Sequence, residues 1–313
     1  VDRRQRQMCI RDRWEPGATE MIAERNPYYW KVDPAGNQLP YIDRIHFALV
    51  EDNEAVNLLA IAGKLDMQHR RLDFSKYPVY QENAAAGNYH LLLWSMAQAS
   101  NVTLFPNQSY PDPKYRQLLQ NLKFRQALSL AIDRDTINKV AFLGQGIPRT
   151  ITVVRDSPLF QADIETYYAQ YDPAKAQALL DEIGLKKGAD GFYTFPDGSP
   201  VELVIESGGF TMGASMDAIE LVVENWKAVG LKTVLQTMSR DIYWPRACAN
   251  EVMIATWETD RGLVPMIDPI YQFPFDERSW MAPAFGTWYK TCLLYTSDAA
   301  DDLLCVDLGG RRI

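Results

Sequence analysis

The sequence predicts an α/β fold of about two domains, and three observations support this prediction. The chain has 313 residues, roughly twice the usual length of one domain. Four segments carry apolar residues at positions i, i+3, i+4 and i+7, which is the spacing of one helix face. Six short apolar runs are typical of strands and are interspersed with these segments. Helices alternating with strands favour a sheet covered by helices.

The four predicted helices have start and stop signals that agree with their periodicity. Asp172 and Pro173 supply an N-cap and a first-turn proline, and Gly63, Gly184 and Gly230 stand where helices should end. The helical segments are Ala55–Ala62, Phe124–Ala131, Ala176–Ile183 and Ile219–Trp226.

The predicted strands are separated by clusters of proline and glycine. Phe192–Phe195 and Val201–Ile205 flank Asp197 and Gly198, which predicts a hairpin turn. Pro106–Pro113 is the best candidate for a crossing between domains. The strand-like runs are Ile45–Val50, Tyr89–Trp94, Val102–Phe105, Val201–Ile205, Leu231–Met238 and Val252–Trp257.

The two ends of the chain are related to each other through the DNA that could encode them. One permitted codon choice for Cys292–Asp302 has a reverse complement that, in a shifted frame, encodes Arg3–Asp12. We therefore expect residues 1–13 and 292–313 to be translated sequencing-adapter DNA that lies outside the fold. A basic arm and an acidic tail are the ordinary alternative. The 278 residues between them contain one cysteine, Cys248, so no intrachain disulfide can form there.

Composition excludes several classes of function. The net charge is -8, or -9 without the adapter-like ends, so the surface should repel nucleic acid. No apolar stretch reaches the roughly 18 residues of a membrane span. His46, His69 and His90 lack ligand spacing, and no phosphate loop or nucleophile elbow occurs, so we expect no metal or other cofactor. Two distant carboxylates could still serve a glycosidase.

One region combines aromatic and charged residues in a way that suggests a ligand site. Tyr243-Trp244-Pro245-Arg246 precedes the strand Val252–Trp257, and Asp260 and Asp268-Pro269 follow it. An aromatic and a carboxylate at the carboxyl end of a strand can form one wall of a ligand crevice. The alternative is that Trp257 belongs to the core and Asp260 caps a turn.

Six blocks of sequence follow one another along the chain: Trp14–Gly17, Asn26–Trp30, Pro40–Ile45, Leu122–Arg134, Tyr171–Ala176 and Leu179–Gly184. In this order they resemble the blocks of the family 5 extracellular solute-binding proteins. These receptors of ABC importers bind oligopeptides, dipeptides or nickel. We expect the Asn26–Trp30 turn to bury its aromatic rings beneath a loop.

The resemblance implies a type II periplasmic-binding-protein-like fold in which two lobes close around a solute. Family members are longer, so it implies that residues 14–106 end the first lobe and that 107–291 form a truncated second lobe. It also implies an extracytoplasmic receptor, periplasmic or extracellular and with a lipid anchor as one means of attachment. Such a receptor delivers its ligand to ABC permease subunits and performs no chemistry.

The resemblance also implies which residues contact the ligand. Trp257, Asp260 and Asp268 match the tryptophan and acidic positions of peptide-binding members, and Tyr243 and Arg246 complete the candidate set. An oligopeptide is the first expectation for the solute. The longer insert Arg261–Ile267 departs from the peptide-binding pattern, so an oligosaccharide receptor of the same family stays open. A secreted glycoside hydrolase is the alternative from another class.

Overall fold

The computed structural model describes residues 10–13, 20–94, 97–209, 213–259 and 262–299. These residues form two compact units. The first runs to Leu72 and includes Val79–His90, and the second comprises Asp73–Pro78 and the chain from Leu91 onward. The strand Ser100–Pro106 pairs within the sheet of the second unit. The sequence-based boundary at 106/107 instead groups this strand with the residues before it.

The first unit is a small antiparallel sheet with helices. Its strands pair in the order β1-β2-β3, and a buried hydrogen bond of 2.6 Å from the Tyr80 hydroxyl to Asn57 joins its two helices. β1 lies within the adapter-like residues 1–13, of which residues 1–9 are outside the described part. The elements are β1 (Ile10–Arg13), β2 (Glu20–Arg25), β3 (Arg44–Ala48), α1 (Asn53–Ile61) and α2 (Tyr77–Gly87), whose first two residues belong to the second unit.

The Asn26–Trp30 turn does not bury its aromatics as expected. Tyr28 and Trp30 are 88% and 72% exposed, so this prediction is wrong. The turn is held by polar contacts instead: the Asn26 side chain accepts from the Tyr28 amide, and Gln38 donates to the Tyr29 carbonyl. Because these bonds fix the backbone, the turn does not depend on packing of its rings.

The second unit contains the larger sheet and most of the helices. A 3₁₀ turn covers Phe74–Lys76 and another covers Pro265–Ile267. The strands are β4 (Ser100–Pro106), β5 (Lys186–Lys187), β6 (Tyr193–Thr194), β7 (Glu202–Ser207), β8 (Lys232–Thr237) and β9 (Ile254–Thr259). The helices are α3 (Pro113–Gln120), α4 (Leu122–Leu130), α5 (Arg134–Ala141), α6 (Ala162–Thr166), α7 (Pro173–Glu182), α8 (Gly213–Ala228), α9 (Arg240–Cys248) and α10 (Pro283–Ala299).

The main sheet has the strand order β4-β9-β7-β8. β7 is parallel to both β8 and β9, while β4 is antiparallel to β9. The chain passes from β7 through α8 to β8 on one side and then through α9 to β9 on the other, so the strand order reverses at β7. Such reversals create a crevice at the carboxyl ends of the parallel strands.

Each face of this sheet carries its own apolar cluster. Ile254 of β9 belongs to a large cluster with residues of α4, α7 and α8, including the buried Trp226. Its neighbour Ala255 belongs to a smaller cluster with Phe105 and Tyr243. Alternation along the strand explains the division, since successive side chains point to opposite faces. The predicted α/β fold is therefore confirmed.

Most of the predicted elements are present. All four predicted helices occur, Asp172 caps α7 by accepting from the Lys175 amide, and the three glycines that follow α1, α7 and α8 have positive φ. The run Tyr89–Trp94 is wrong as a strand: Leu92 and Trp94 are exposed, and no described strand pairs with it. The turn at Asp197-Gly198 is present, closed by the Gly198 amide donating to Phe195.

Among the described residues, no helix is both long enough and apolar enough to cross a membrane. α10 runs to Ala299 and thus continues past Thr291 into the adapter-like residues, of which 300–313 lie outside the described part.

Candidate functional site

Three parallel strands of the second unit end at one edge of the sheet. β7 ends at Ser207, β8 at Thr237 and β9 at Thr259, and α8 and α9 begin shortly after the first two of these ends. Helix N-termini and strand carboxyl ends together expose backbone donors at this edge. It is the place where open α/β sheets bind ligands.

Three tryptophans lie on one face of the sheet beside this edge and form what we call the indole cluster. Trp257 of β9 lies 5.5 Å from Trp244 of α9 and 5.5 Å from Trp280, measured between ring centroids, and Trp244 lies 5.0 Å from Trp280. All three pairs are close to perpendicular, the favourable edge-to-face arrangement. Trp280 is buried, whereas Trp244 and Trp257 are half-buried, so two indoles present surface to a solute.

Arg240, the first residue of α9, lies over the two half-buried indoles. Its guanidinium carbon is 5.1 Å from the Trp257 ring centroid and 5.5 Å from that of Trp244. Cation–π contact holds the group by its face, so its N–H donors stay available in the guanidinium plane. Among the described residues, none forms a hydrogen bond or ion pair with the Arg240 side chain.

A cavity of about 330 Å³ opens beside this stack. Its lining residues are Arg240, Asp241, Trp244 and Pro245. The cavity therefore offers guanidinium donors, carboxylate acceptors and an indole surface within one turn of α9. Few polar groups around an aromatic surface are the usual composition of small-molecule sites.

Tyr243, a predicted site residue, lies behind this wall. It is completely buried, and its hydroxyl donates to the Thr256 carbonyl and accepts from the Thr256 amide, both at 2.9 Å. Burial raises the pKa of Tyr243 above its ordinary value. Its ring also packs against the backbone at the end of β7, where a Cβ on Gly208 would lie 2.5 Å from a ring carbon. In this position Tyr243 supports the wall.

Arg246 and Asp268, two further predicted site residues, are engaged in ion pairs. Arg246 contacts the buried Glu206 at 2.7 Å and Glu251 at 3.2 Å. Asp268 accepts from both terminal nitrogens of Arg278 at 3.3 Å. These pairs fix the ends of α9 and of the 3₁₀ turn at Pro265–Ile267. Asp260 lies outside the described residues. Of the predicted set, Trp257 contacts the lining residues Arg240 and Trp244, and among the described members none lines the cavity itself.

The site residues that the candidate set omits are Arg240, Asp241, Trp244, Pro245 and Trp280. Arg240 and Trp244 are four residues apart, a spacing that places them on one face of a helix. This spacing is informative only if Arg240–Cys248 is a helix, and Pro245 within that segment argues against a helix there. Trp280 lies 23 residues after Trp257 and carries no local signal that relates them.

Comparison with known proteins gives consistent results. The family described as "Bacterial extracellular solute-binding proteins, family 5 Middle" matches residues 11–277. A periplasmic alpha-galactoside-binding protein of Rhizobium meliloti (strain 1021) is 29% identical over 233 residues, which are 70% of this chain and 33% of that protein.

Two solved structures are also similar. An oligopeptide-binding protein OppA is 33% identical with a TM-score of 0.61, over 93% of this chain and 46% of that one. The periplasmic binding protein MelB of Agrobacterium fabrum C58, in complex with stachyose, is 23% identical with a TM-score of 0.71, over 89% of this chain and 44% of that one. The chain thus spans between a third and a half of the length of these relatives.

Proposed function

The chain belongs to the bacterial extracellular solute-binding proteins of family 5, and from this premise we propose that it forms one wall of a receptor that delivers a solute to an ABC importer. The family consists of binding proteins, so the glycoside hydrolase alternative is set aside. We place the receptor outside the cytoplasmic membrane, in the periplasm or at the cell exterior, with permease subunits as its partners. In this proposal the second unit contributes the carboxyl edge of its sheet to the ligand.

We propose an oligosaccharide of the α-galactoside type as the solute, and the cavity at the start of α9 is the observation that carries this choice. Sugar hydroxyls both donate and accept hydrogen bonds, and Arg240 and Asp241 offer donors and acceptors side by side. The half-buried Trp244 and Trp257 provide apolar faces for the carbon side of a sugar ring. The Rhizobium meliloti relative is named for binding α-galactosides and aligns with 70% of this chain.

An oligopeptide is the second candidate. The observation that favours it is the 33% identity to an oligopeptide-binding protein over 93% of the chain. The stacked Arg240 could bind a peptide carboxylate through two parallel hydrogen bonds. Trp257 and Asp260 also keep the spacing expected of peptide-binding members.

Titration of the 313-residue chain with raffinose, an α-galactoside, and with trialanine distinguishes the two candidates. The indole N–H resonances report binding, and single tryptophan variants assign them. Because the chain covers under half of the solved relatives, we expect a Kd of about 1 mM or weaker, which corresponds to about 4 kcal/mol. Raffinose should shift the Trp257 and Trp244 resonances in a saturable way.

The matched control uses a second indole with a cation over its ring. Trp30 is 72% exposed and has the Lys31 ammonium 5.4 Å from its centroid, but it belongs to the first unit. Trp257→Ala and Arg240→Ala should abolish the raffinose response, and Trp30→Ala should leave it intact. Saturable binding of trialanine alone, lost in Trp257→Ala, would select the peptide. A response to neither probe, or one lost in Trp30→Ala only, would refute the site.

A further inference from the structure

A buried ion triad lies near the carboxyl end of β9. The Glu165 carboxylate of α6 is buried, Arg149 donates to it at 3.0 Å, and Arg155 donates through two nitrogens at 3.0 Å each. The two arginines differ in exposure, since the Arg149 side chain is 12% exposed and that of Arg155 is 55% exposed. A buried guanidinium is tolerated only when it is paired, so Glu165 fixes where Arg149 can lie.

Arg149 uses its remaining terminal nitrogen on the backbone that leads into the sheet. Nη2 donates to the Ala99 carbonyl at 2.9 Å. The Ala99 amide in turn donates to the carbonyl of Thr259 at 2.8 Å. Thr259 is the last residue of β9. Arg149 is thus connected through a single residue, Ala99, to the end of β9, the strand that carries Trp257.

The chain just beyond β9 is bound to the same backbone. The Gly262 amide donates to the Ala97 carbonyl at 2.7 Å, and the Gly262 carbonyl accepts from the Val154 amide at 3.0 Å. A Cβ at Gly262 would lie 2.7 Å from the Ala99 nitrogen, so the two segments approach as closely as backbones can. Nearby, the Ser157 hydroxyl donates to the Leu263 carbonyl at 2.6 Å.

We propose that Arg149 is a positioning residue for the ligand site. Arg149 holds Ala99 against Thr259 and thereby fixes the end of the strand that carries Trp257, a role that rests on the proposed function. The loop Arg149–Ser157 then acts as a brace between α6 and the edge of the sheet. Arg155 contributes charge to the triad without contacting that edge, because its hydrogen bonds go to Glu165.

The difference between the two arginines provides the test. Arg149→Gln removes the bond to Ala99, while Arg155→Gln removes a comparable charge from Glu165 and leaves that bond in place. Amide hydrogen exchange at Ala99 and Gly262 should accelerate by about tenfold or more in Arg149→Gln and stay within about twofold of the parent in Arg155→Gln. The Kd for raffinose should rise at least about threefold in Arg149→Gln only.

A conservative variant separates positioning from folding stability. Arg149→Lys keeps the ion pair with Glu165, but a single ammonium cannot reproduce the planar fork that reaches both Glu165 and Ala99. It should therefore unfold near the parent temperature and still exchange rapidly at Ala99 and Gly262. Equal exchange in both glutamine variants, or rapid exchange with an unchanged Kd, would overturn the proposal. If the parent binds neither raffinose nor trialanine, an exchange difference still supports the brace and the proposed function alone fails.

Discussion

Tyr243→Phe distinguishes a supporting residue from a ligand contact, because the variant removes one oxygen and keeps the ring. The Tyr243 hydroxyl bonds to both backbone groups of Thr256, each at 2.9 Å, in a fully buried position. The ring's edge-to-face contact with Trp280, at 5.4 Å, should survive the change. The perturbation is therefore confined to two buried hydrogen bonds.

The expected loss of stability follows from these two bonds. Each buried backbone group that loses its partner costs about 1–3 kcal/mol, so for two such groups we expect the free energy of unfolding to fall by about 2–6 kcal/mol. Tyr115→Phe is the matched control. Its hydroxyl accepts from the Glu202 amide at 3.1 Å in an exposed position, so water can replace it, and we expect a loss of about 0–1 kcal/mol.

Urea unfolding followed by tryptophan fluorescence measures both variants, with the free energies compared at a common m-value. The raffinose Kd of Tyr243→Phe should stay within about twofold of the parent, because no atom of Tyr243 is exposed to a solute. A difference between the two variants below about 0.5 kcal/mol would refute the hydrogen-bonding argument. A weaker Kd with unchanged stability would instead make Tyr243 a ligand contact, as the sequence-based candidate set has it.

Two further predictions concern buried charges. Hydrogen bonds from Arg155 hold the pKa of Glu165 below its ordinary value of 4.5. The stability that this carboxylate contributes is therefore complete above about pH 4.5, and it is lost as the pH falls through the lower pKa of the folded state. Urea midpoints between pH 3 and 6 should show this loss in the parent, and a parallel decline in Glu165→Gln would contradict it. Burial lowers the pKa of Arg134 to about 10, and its guanidinium donates to the carbonyls of Ser129 and Ala169. Arg134→Lys should lower the free energy of unfolding by about 1–3 kcal/mol, because an ammonium cannot reach both carbonyls, and a thermal midpoint equal to the parent's would exclude this role.

The helices that could be predicted are those whose signals are local. α7 has an N-cap, a first-turn proline and a following glycine within 13 residues, and all three act as expected. α9 was missed because Pro245, the sixth of its nine residues, interrupts the pattern. The helix nevertheless continues to Cys248, and the Ala249 amide donates to the Pro245 carbonyl at 2.8 Å. Tyr89–Trp94 shows the opposite failure, since strand-like composition is not sufficient without a neighbouring strand to supply hydrogen bonds.

The polar network at the opposite edge of the sheet was equally beyond prediction. Asn107 donates to Asn250 at 2.9 Å and to the Val252 carbonyl at 3.0 Å, and Ser109 donates to Asn250 at 2.7 Å. Asn107 and Asn250 are 143 positions apart, so only the pairing of β4 with β9 brings them together. Contacts of this kind depend on topology, which periodicity does not specify.

The same reasoning explains why the candidate site was only partly predicted. Composition pointed to the region from Tyr243 to Asp268, but it could not say which side chains face outward. That depends on α9, where Tyr243 turns toward the sheet while Arg240 and Trp244, a helical turn apart, meet Trp257. The reversal of strand order at β7 then brings the start of α9 and the end of β9 to one edge. A cation held by two indoles at such an edge makes Arg240 the residue whose loss should weaken solute binding most directly.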